Sequence, residues 1–252
     1  MLTHPTLDKL HTLRLSGMAR AFEEQLNAPD SDVLSTEERL ALMVDRELLE
    51  RDNRRLTTRL RRAKLRHHAC IEDIDYRHPR GLDKALVAKL TTGNWLREHL
   101  NCLITGPTGI GKSWLACALA QKACRDGFTA MYVRLPRFLR ELALAKGDGR
   151  YPKLIRELAR TDLLVLDDFG TARLDDGHRR DLLEILDDRY NVRSTLVTSQ
   201  FPVEHWYDLL ADPTLADAIL DRLVHNAYKL NLKGESMRKT KRKLTQTDHS
   251  GS

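Results

Sequence analysis

Apolar positions recur along this chain with two different periods, and the change between them divides it. Leu7, Leu10, Leu13 and Leu15, then Met18, Phe22 and Leu26, fall mostly three or four residues apart and predict one or two short helices over residues 3–27. Asn27-Ala28-Pro29-Asp30-Ser31-Asp32 reads as a loop. Ser35 or Thr36 then caps a long helix with Glu37 and Glu38 in its first turn. Leu40, Val44, Leu48, Leu56 and Leu60 carry the helical spacing on to about Ala69. Pro79–Gly81 breaks the chain again, and Leu82–Leu90 is a further helical run.

Beyond residue 100 the apolar positions gather into short runs separated by longer amphipathic stretches. The runs Cys102–Thr105, Thr129–Val133, Leu163–Asp167, Ser194–Ser199 and 227–232 predict strands. Helices are expected up to Arg125, up to Arg160 with an interruption at Gly147-Asp148-Gly149, over Asp176–Tyr190, and near 203–210 and 214–225. Strands alternating with helical crossovers predict an α/β fold: a five-stranded parallel sheet covered on both faces, with the fourth strand beside the first. The domain reading is a small all-α N-terminal domain over 1–75, the α/β domain over 76–238, and a basic flexible tail over 239–252.

Composition narrows the class. The chain has 252 residues, is 41% hydrophobic and 31% charged, and contains no apolar stretch near the roughly 20 residues that span a bilayer. Its four cysteines, Cys70, Cys102, Cys117 and Cys124, form no CxxC pair, so free thiols in a reducing cytoplasm are expected. The net charge of +6 divides as +2 over 1–100, −1 over 101–220 and +5 over 221–252. A near-neutral core with basic attachments points to a polyanionic partner.

The chemistry centres on Gly106-Pro107-Thr108-Gly109-Ile110-Gly111-Lys112-Ser113, which fits GxxxxGK[ST] between a strand and a helix; Trp114 follows it. Glycines allow backbone N–H groups to turn toward phosphate oxygens, and the helix N-terminus adds its positive dipole end. Lys112 is expected to reach the outer phosphates of ATP, and Ser113 to bind Mg2+. About 55 residues downstream, Leu163-Leu164-Val165-Leu166 ends in Asp167-Asp168. Two carboxylates there emerge at the edge where open α/β sheets bind ligands. Asp167 is expected to hold Mg2+ and Asp168 to orient or deprotonate the attacking water. Gln200, after the fourth strand, is a candidate for positioning that water, and Arg222 and Arg238 are candidates for neutralising transition-state charge.

Between Arg51 and Arg66 eight basic residues meet one acid. Arg51, Arg55, Arg59, Arg62 and Arg66 fall at i, i+3 and i, i+4 spacings and so are expected to share one helical face. Like charges at that spacing disfavour a helix unless something compensates, and the phosphates of double-stranded DNA would. Arg137, Arg140 and Lys146, close to the Gly147–Gly149 break, are further candidates for a nucleic-acid groove.

Taken together, the runs 101–120 (NCLITGPTGIGKSWLACALA), 163–170 (LLVLDDFG), 196–202 (LVTSQFP) and 234–238 (GESMR) resemble the IstB family, the ATP-binding helpers of bacterial insertion sequences. Residues 71–90 (IEDIDYRHPRGLDKALVAKL) also resemble that family, which is related to the DnaC/DnaI helicase loaders. The resemblance spans about residues 5–240. It implies an AAA+ P-loop fold, ATP hydrolysis, self-assembly into a homo-oligomer on DNA and cooperation with a cognate transposase. It places Lys112 and Ser113 at Walker A, Asp167 and Asp168 at Walker B, and Gln200 at sensor 1. Arg222 falls at the arginine finger that reaches a neighbouring subunit, and Arg238 at sensor 2. Asp168 stands where Glu is usual, which implies slow intrinsic turnover. The alternative readings are a replicative helicase loader with the same ATP site, and a DNA clamp in which ATP is only an assembly signal.

Overall fold

The structure, a computed structural model, describes residues 4–27 and 34–237. It divides into two compact units between Thr58 and Arg59. The basic tail expected over 239–252, and Arg238, lie outside the described residues.

The first unit contains α1 (Pro5–Thr12), α2 (Ser16–Asn27) and most of α3 (Thr36–Ala63). Ser35 caps α3 reciprocally: its hydroxyl accepts the Glu38 amide at 3.2 Å while its own amide donates to the Glu38 carboxylate at 2.8 Å. Helix α2 follows Leu15, whose apolar side chain offers no cap. Its first amides, Gly17 and Met18, donate instead to Glu47 of α3 at 2.7 and 3.2 Å. That contact requires close approach: a Cβ on Gly17 would lie 2.6 Å from the Glu47 Cα. Leu40, Leu48 and Leu49 remain more than half exposed, so the apolar spacing of α3 marks its period rather than a buried stripe.

Helix α3 ends at Ala63, six residues before the expected stop. Lys64 takes a left-handed φ of +51°, and the chain turns off the helix axis. The reason is packing within the second unit. Ala63 and Ala69 are buried on either side of the turn, and Arg59 donates to the Cys124 carbonyl at 2.8 Å. These contacts place 59–75 with the α/β core rather than with the helices before it.

That core holds β1 (Asn101–Thr105), β2 (Ala130–Arg134), β3 (Leu163–Phe169), β4 (Ser194–Ser199) and β5 (Ala227–Asn231). The sheet is wholly parallel, in the order β2-β3-β4-β1-β5, with β4 beside β1 as expected. β1 and β4 are buried throughout and β3 nearly so, as strands covered on both faces must be. Helix α6 (Lys112–Arg125) covers one face with small residues, Ala116, Ala120 and Ala123, that let it approach the strands closely. Leu164, Leu166 and Val197 share the main apolar core with residues of α7 (Leu135–Gly147), α8 (Tyr151–Arg160), α9 (Asp176–Asp187), α10 (Trp206–Leu210) and α11 (Pro213–Val224). The short helices α4 (Lys84–Thr91) and α5 (Asn94–Arg97) lead into β1. All four cysteines are free, and burial pushes the Cys102 thiol up to about 12.

The edge where the strands begin is fastened by Arg189, which is 1% exposed. Its guanidinium donates to the carbonyls of Leu158, Thr161, Asp162 and Ser194, tying the end of α8 to the starts of β3 and β4. Burial, with the neighbouring Arg193 charge, lowers its pKa to about 9.

Glu47 gives a test of the first unit. Burial opposes its charge, but hydrogen bonds from Arg51, Gly17 and Met18 hold its carboxyl below the ordinary glutamate value of 4.5. A depressed pKa contributes stability that is complete above the ordinary value and lost as pH falls through the folded one. Glu47→Ala should therefore cost about 1–3 kcal/mol locally. Hydrogen exchange should show Gly17 and Met18 amides opening faster in the variant at neutral pH, with the difference from wild type shrinking below pH 4.5.

Candidate nucleotide-binding site

The loop between β1 and α6 has the form that its glycines predict. Gly106, Gly109 and Gly111 have φ of +144°, +82° and +98°, and each is also pressed by a different neighbour. A Cβ on Gly106 would lie 2.3 Å from the Leu232 carbonyl oxygen, one on Gly109 2.1 Å from the Ser236 hydroxyl, and one on Gly111 2.7 Å from the Arg80 guanidinium. Residues 234–237 roof the loop, and the Met237 amide donates to the Gly109 carbonyl at 3.0 Å. Lys112 is 8% exposed and donates to the Gly106 and Pro107 carbonyls at 2.7 and 3.0 Å. Burial holds its ammonium pKa below the ordinary lysine value.

Asp167 sits at the end of β3 with no solvent exposure. One of its oxygens, Oδ1, accepts the Ser113 hydroxyl at 2.7 Å and the Thr198 hydroxyl, and the other accepts the Tyr132 hydroxyl. Burial and the bond to Asp167 push the Tyr132 phenol above its ordinary pKa.

Asp168 departs from a regular strand. Its φ is +64°, and the β3–β4 register slips between Leu166 and Phe169. Strict alternation would send the two carboxylates to opposite faces. The bulge instead brings Asp168 to the same cleft as Ser113, where it accepts from Arg134. Its amide donates to the Thr198 hydroxyl at 3.2 Å. Gln200, just past β4, accepts the Thr108 hydroxyl at 2.7 Å and so lies over the loop. The cleft encloses about 700 Å³, within the range of small-molecule sites.

Comparison with known proteins decides the family. The IstB-like ATP binding protein model matches residues 8–245. The insertion sequence ATP-binding protein y4pL of Sinorhizobium fredii is 55% identical over 243 residues, covering 96% of this chain and 99% of that protein. This chain belongs to the IstB-like ATP-binding family. Among solved structures, DnaI superposes with a TM-score of 0.57 at 20% identity, covering 66% of this chain and 91% of that one. The DnaC helicase loader gives a TM-score of 0.52 at 22% identity, covering 63% and 95%. At those identities the likeness is one of fold, and the fold is AAA+.

Within this IstB-like chain the other expected site residues separate. Trp114 is half-buried on the first turn of α6 and lines the cleft, whereas Ile110 is fully buried beneath the loop. Arg222 lies at the opposite edge of the sheet: its carbonyl accepts the Asn101 side chain at 2.8 Å at the start of β1, and its guanidinium pairs with Asp187. The single basic face expected over 51–66 is broken. Arg51 pairs with Glu47 at 2.6 Å and Arg55 with Asp52 at 3.5 Å, both still exposed, and Arg62 is exposed. Arg59 is tied to Cys124, and Arg66, carried off the helix at Lys64, stands 3.8 Å from Asp167. Arg137 pairs with Glu141 at 3.0 Å, and Arg140 is exposed. Lys146 pairs with the buried Asp181 and stands over the Tyr151 ring, with its side chain still 46% exposed.

Sequence reasoning missed Arg80 and Tyr132, and counted Arg134 only among the basic residues around Gly147–Gly149 that could line a nucleic-acid groove, not as a partner of Asp168. Arg80 is 2% exposed and donates to the carbonyls of Ile110 at 3.2 Å and Asp75 at 3.1 Å, with Met237 sulfur 3.4 Å away. It thus joins the loop to its roof, and burial lowers its pKa. Its one local signal, a position between Pro79 and Gly81, marks a turn and says nothing of a partner 30 residues on. Arg80→Met should lower unfolding stability by about 2–4 kcal/mol, because the carbonyls it serves are left unpaired. Urea denaturation, with ATP affinity measured alongside, checks this; unchanged values for both would show Arg80 to be passive.

Proposed function

We propose that this protein is an ATP-dependent, DNA-binding helper of an insertion-sequence transposase. In this reading it acts in the cytoplasm, assembles as a homo-oligomer on double-stranded target DNA, and hydrolyses ATP to regulate transposition with its cognate transposase. The observation that carries the reading is the convergence of Lys112, Ser113, Asp168 and Gln200 on one cleft, with the buried Asp167 bonded to Ser113 behind it, in a member of an insertion-sequence ATP-binding family.

Each residue has a distinct part. The N–H groups of Gly106–Ser113 receive phosphate oxygens, and Lys112 leaves its carbonyl partners for the outer phosphates. The donor set fits Mg2+, because an ion that arrives with a nucleotide needs only a hydroxyl and a carboxylate from the protein; Ser113 and Asp167, already 2.7 Å apart, supply both. Mg2+ when bound offsets the charge of the outer phosphates. Asp168 takes the proton of the attacking water, and Gln200 orients that water. Arg134 holds the short Asp168 side chain in place, which suits slow turnover awaiting a partner. Arg222 stands a strand's length from its own loop, so its catalytic part belongs to a neighbouring subunit's nucleotide. The exposed Arg51, Arg55, Arg62, Arg137 and Arg140 are the surface left for DNA phosphates.

Duplex DNA binding followed with ATP, ADP and no nucleotide tests the whole. ATP should give large, salt-sensitive complexes that Lys112→Ala, with ATP affinity reduced at least about tenfold, cannot form. Asp168→Asn should keep nucleotide binding and assembly but cut hydrolysis by about 10²–10⁴-fold. Duplex DNA ignored in every nucleotide state would move the helicase-loader reading ahead.

A further inference from the structure

The geometry points to Arg66 as a nucleotide-binding residue that recognises the terminal phosphate of ATP, acting across the cleft from Lys112. The inference rests on the ATP-site reading above and adds to it a residue that precedes β1 and the phosphate loop in sequence.

Arg66 is held where it stands. The chain turns at Lys64, Ala63 and Ala69 are buried on either side, and the backbone amides of Arg66 and His67 face the Cys117 thiol of α6. The guanidinium reaches Tyr132 and lies 3.8 Å from Asp167 Oδ2. Asp167 has no need of it as a partner, since three hydroxyls already donate to that carboxylate. Arg66 is nonetheless 44% exposed and lines the cleft with Lys112 and Ser113. A guanidinium has five donors in a planar fork that matches phosphate oxygens, so most remain available to a ligand. The side on which it stands selects the phosphate. A cation that Ser113 and Asp167 would hold would supply positive charge beside the outer phosphates of the nucleotide. An arginine on the far oxygen of that same carboxylate therefore faces the terminal group, not the base or the first phosphate.

Titration with fluorescent ATP and ADP analogues tests this on the full chain. Arg66→Ala should weaken ATP about 10–100-fold and ADP less than about threefold, with Arg66→Lys in between, because a lysine keeps the charge and loses the fork. Thermal melting reports whether the alanine variant folds; if it does not, the ATP-to-ADP affinity ratio of Arg66→Lys carries the test. Equal loss for both nucleotides would make Arg66 a structural residue, and no loss or a gain would make it a bystander or an obstacle; each result overturns the inference. So would a loss of duplex DNA binding with both nucleotide affinities intact, which would return Arg66 to a DNA-contacting part. Wild-type protein that binds neither nucleotide would instead remove the site reading itself.

Discussion

A carboxylate fully removed from water costs several kcal/mol unless hydrogen bonds replace its hydration. Asp167 meets that condition with hydroxyls from three separate elements: Ser113 on α6, Thr198 on β4 and Tyr132 on β2. The need to satisfy one buried charge thus fixes the start of α6 against three strands of the sheet. Because the phosphate loop runs directly into α6, its position over the strand ends follows. Thr198 extends the arrangement by accepting the Asp168 amide while donating to Asp167, so the bulge that redirects Asp168 is pinned by the same hydroxyl.

Two buried arginines extend this order to both ends of the sheet, with opposite consequences. Arg189 gathers four carbonyls at the edge where strands begin and leaves that end dense and closed. Arg80 works at the other edge, beneath a loop that must stay open above. It supports the loop from below and takes part in the roof of residues 234–237, leaving the cleft side free. The site is rigid on its protein side and open on its ligand side, which suits a loop that must present preformed donors.

How much of this could be read from residues alone depends on the range of the interaction. The phosphate loop was legible because its function demands a local pattern, and the strand ending in Asp167-Asp168 because four apolar residues must be buried before it. The parallel sheet followed from the alternation of elements. The end of α3 was not legible, since Leu56, Leu60 and the arginine spacing continue smoothly to Arg66; only burial of Ala63 and Ala69 against the core stops the helix. Arg66 shows the same limit: its charge suggests DNA, while Asp167, beside which it stands, lies 101 positions away. The Asp168 bulge leaves one weak trace, in that aspartate tolerates a left-handed backbone better than most residues.

The three loop glycines carry a consequence for reading relatives of this chain. Each is confined by a part of the protein itself: Leu232, Ser236 or Arg80. A descendant that had lost its nucleotide would still need all three, while Lys112, whose role in the fold is limited to two carbonyl contacts, would be free to drift. In this lineage the glycines record architecture and the lysine records chemistry. A surviving run of glycines without the lysine would therefore mark a retired ATPase rather than a weak one.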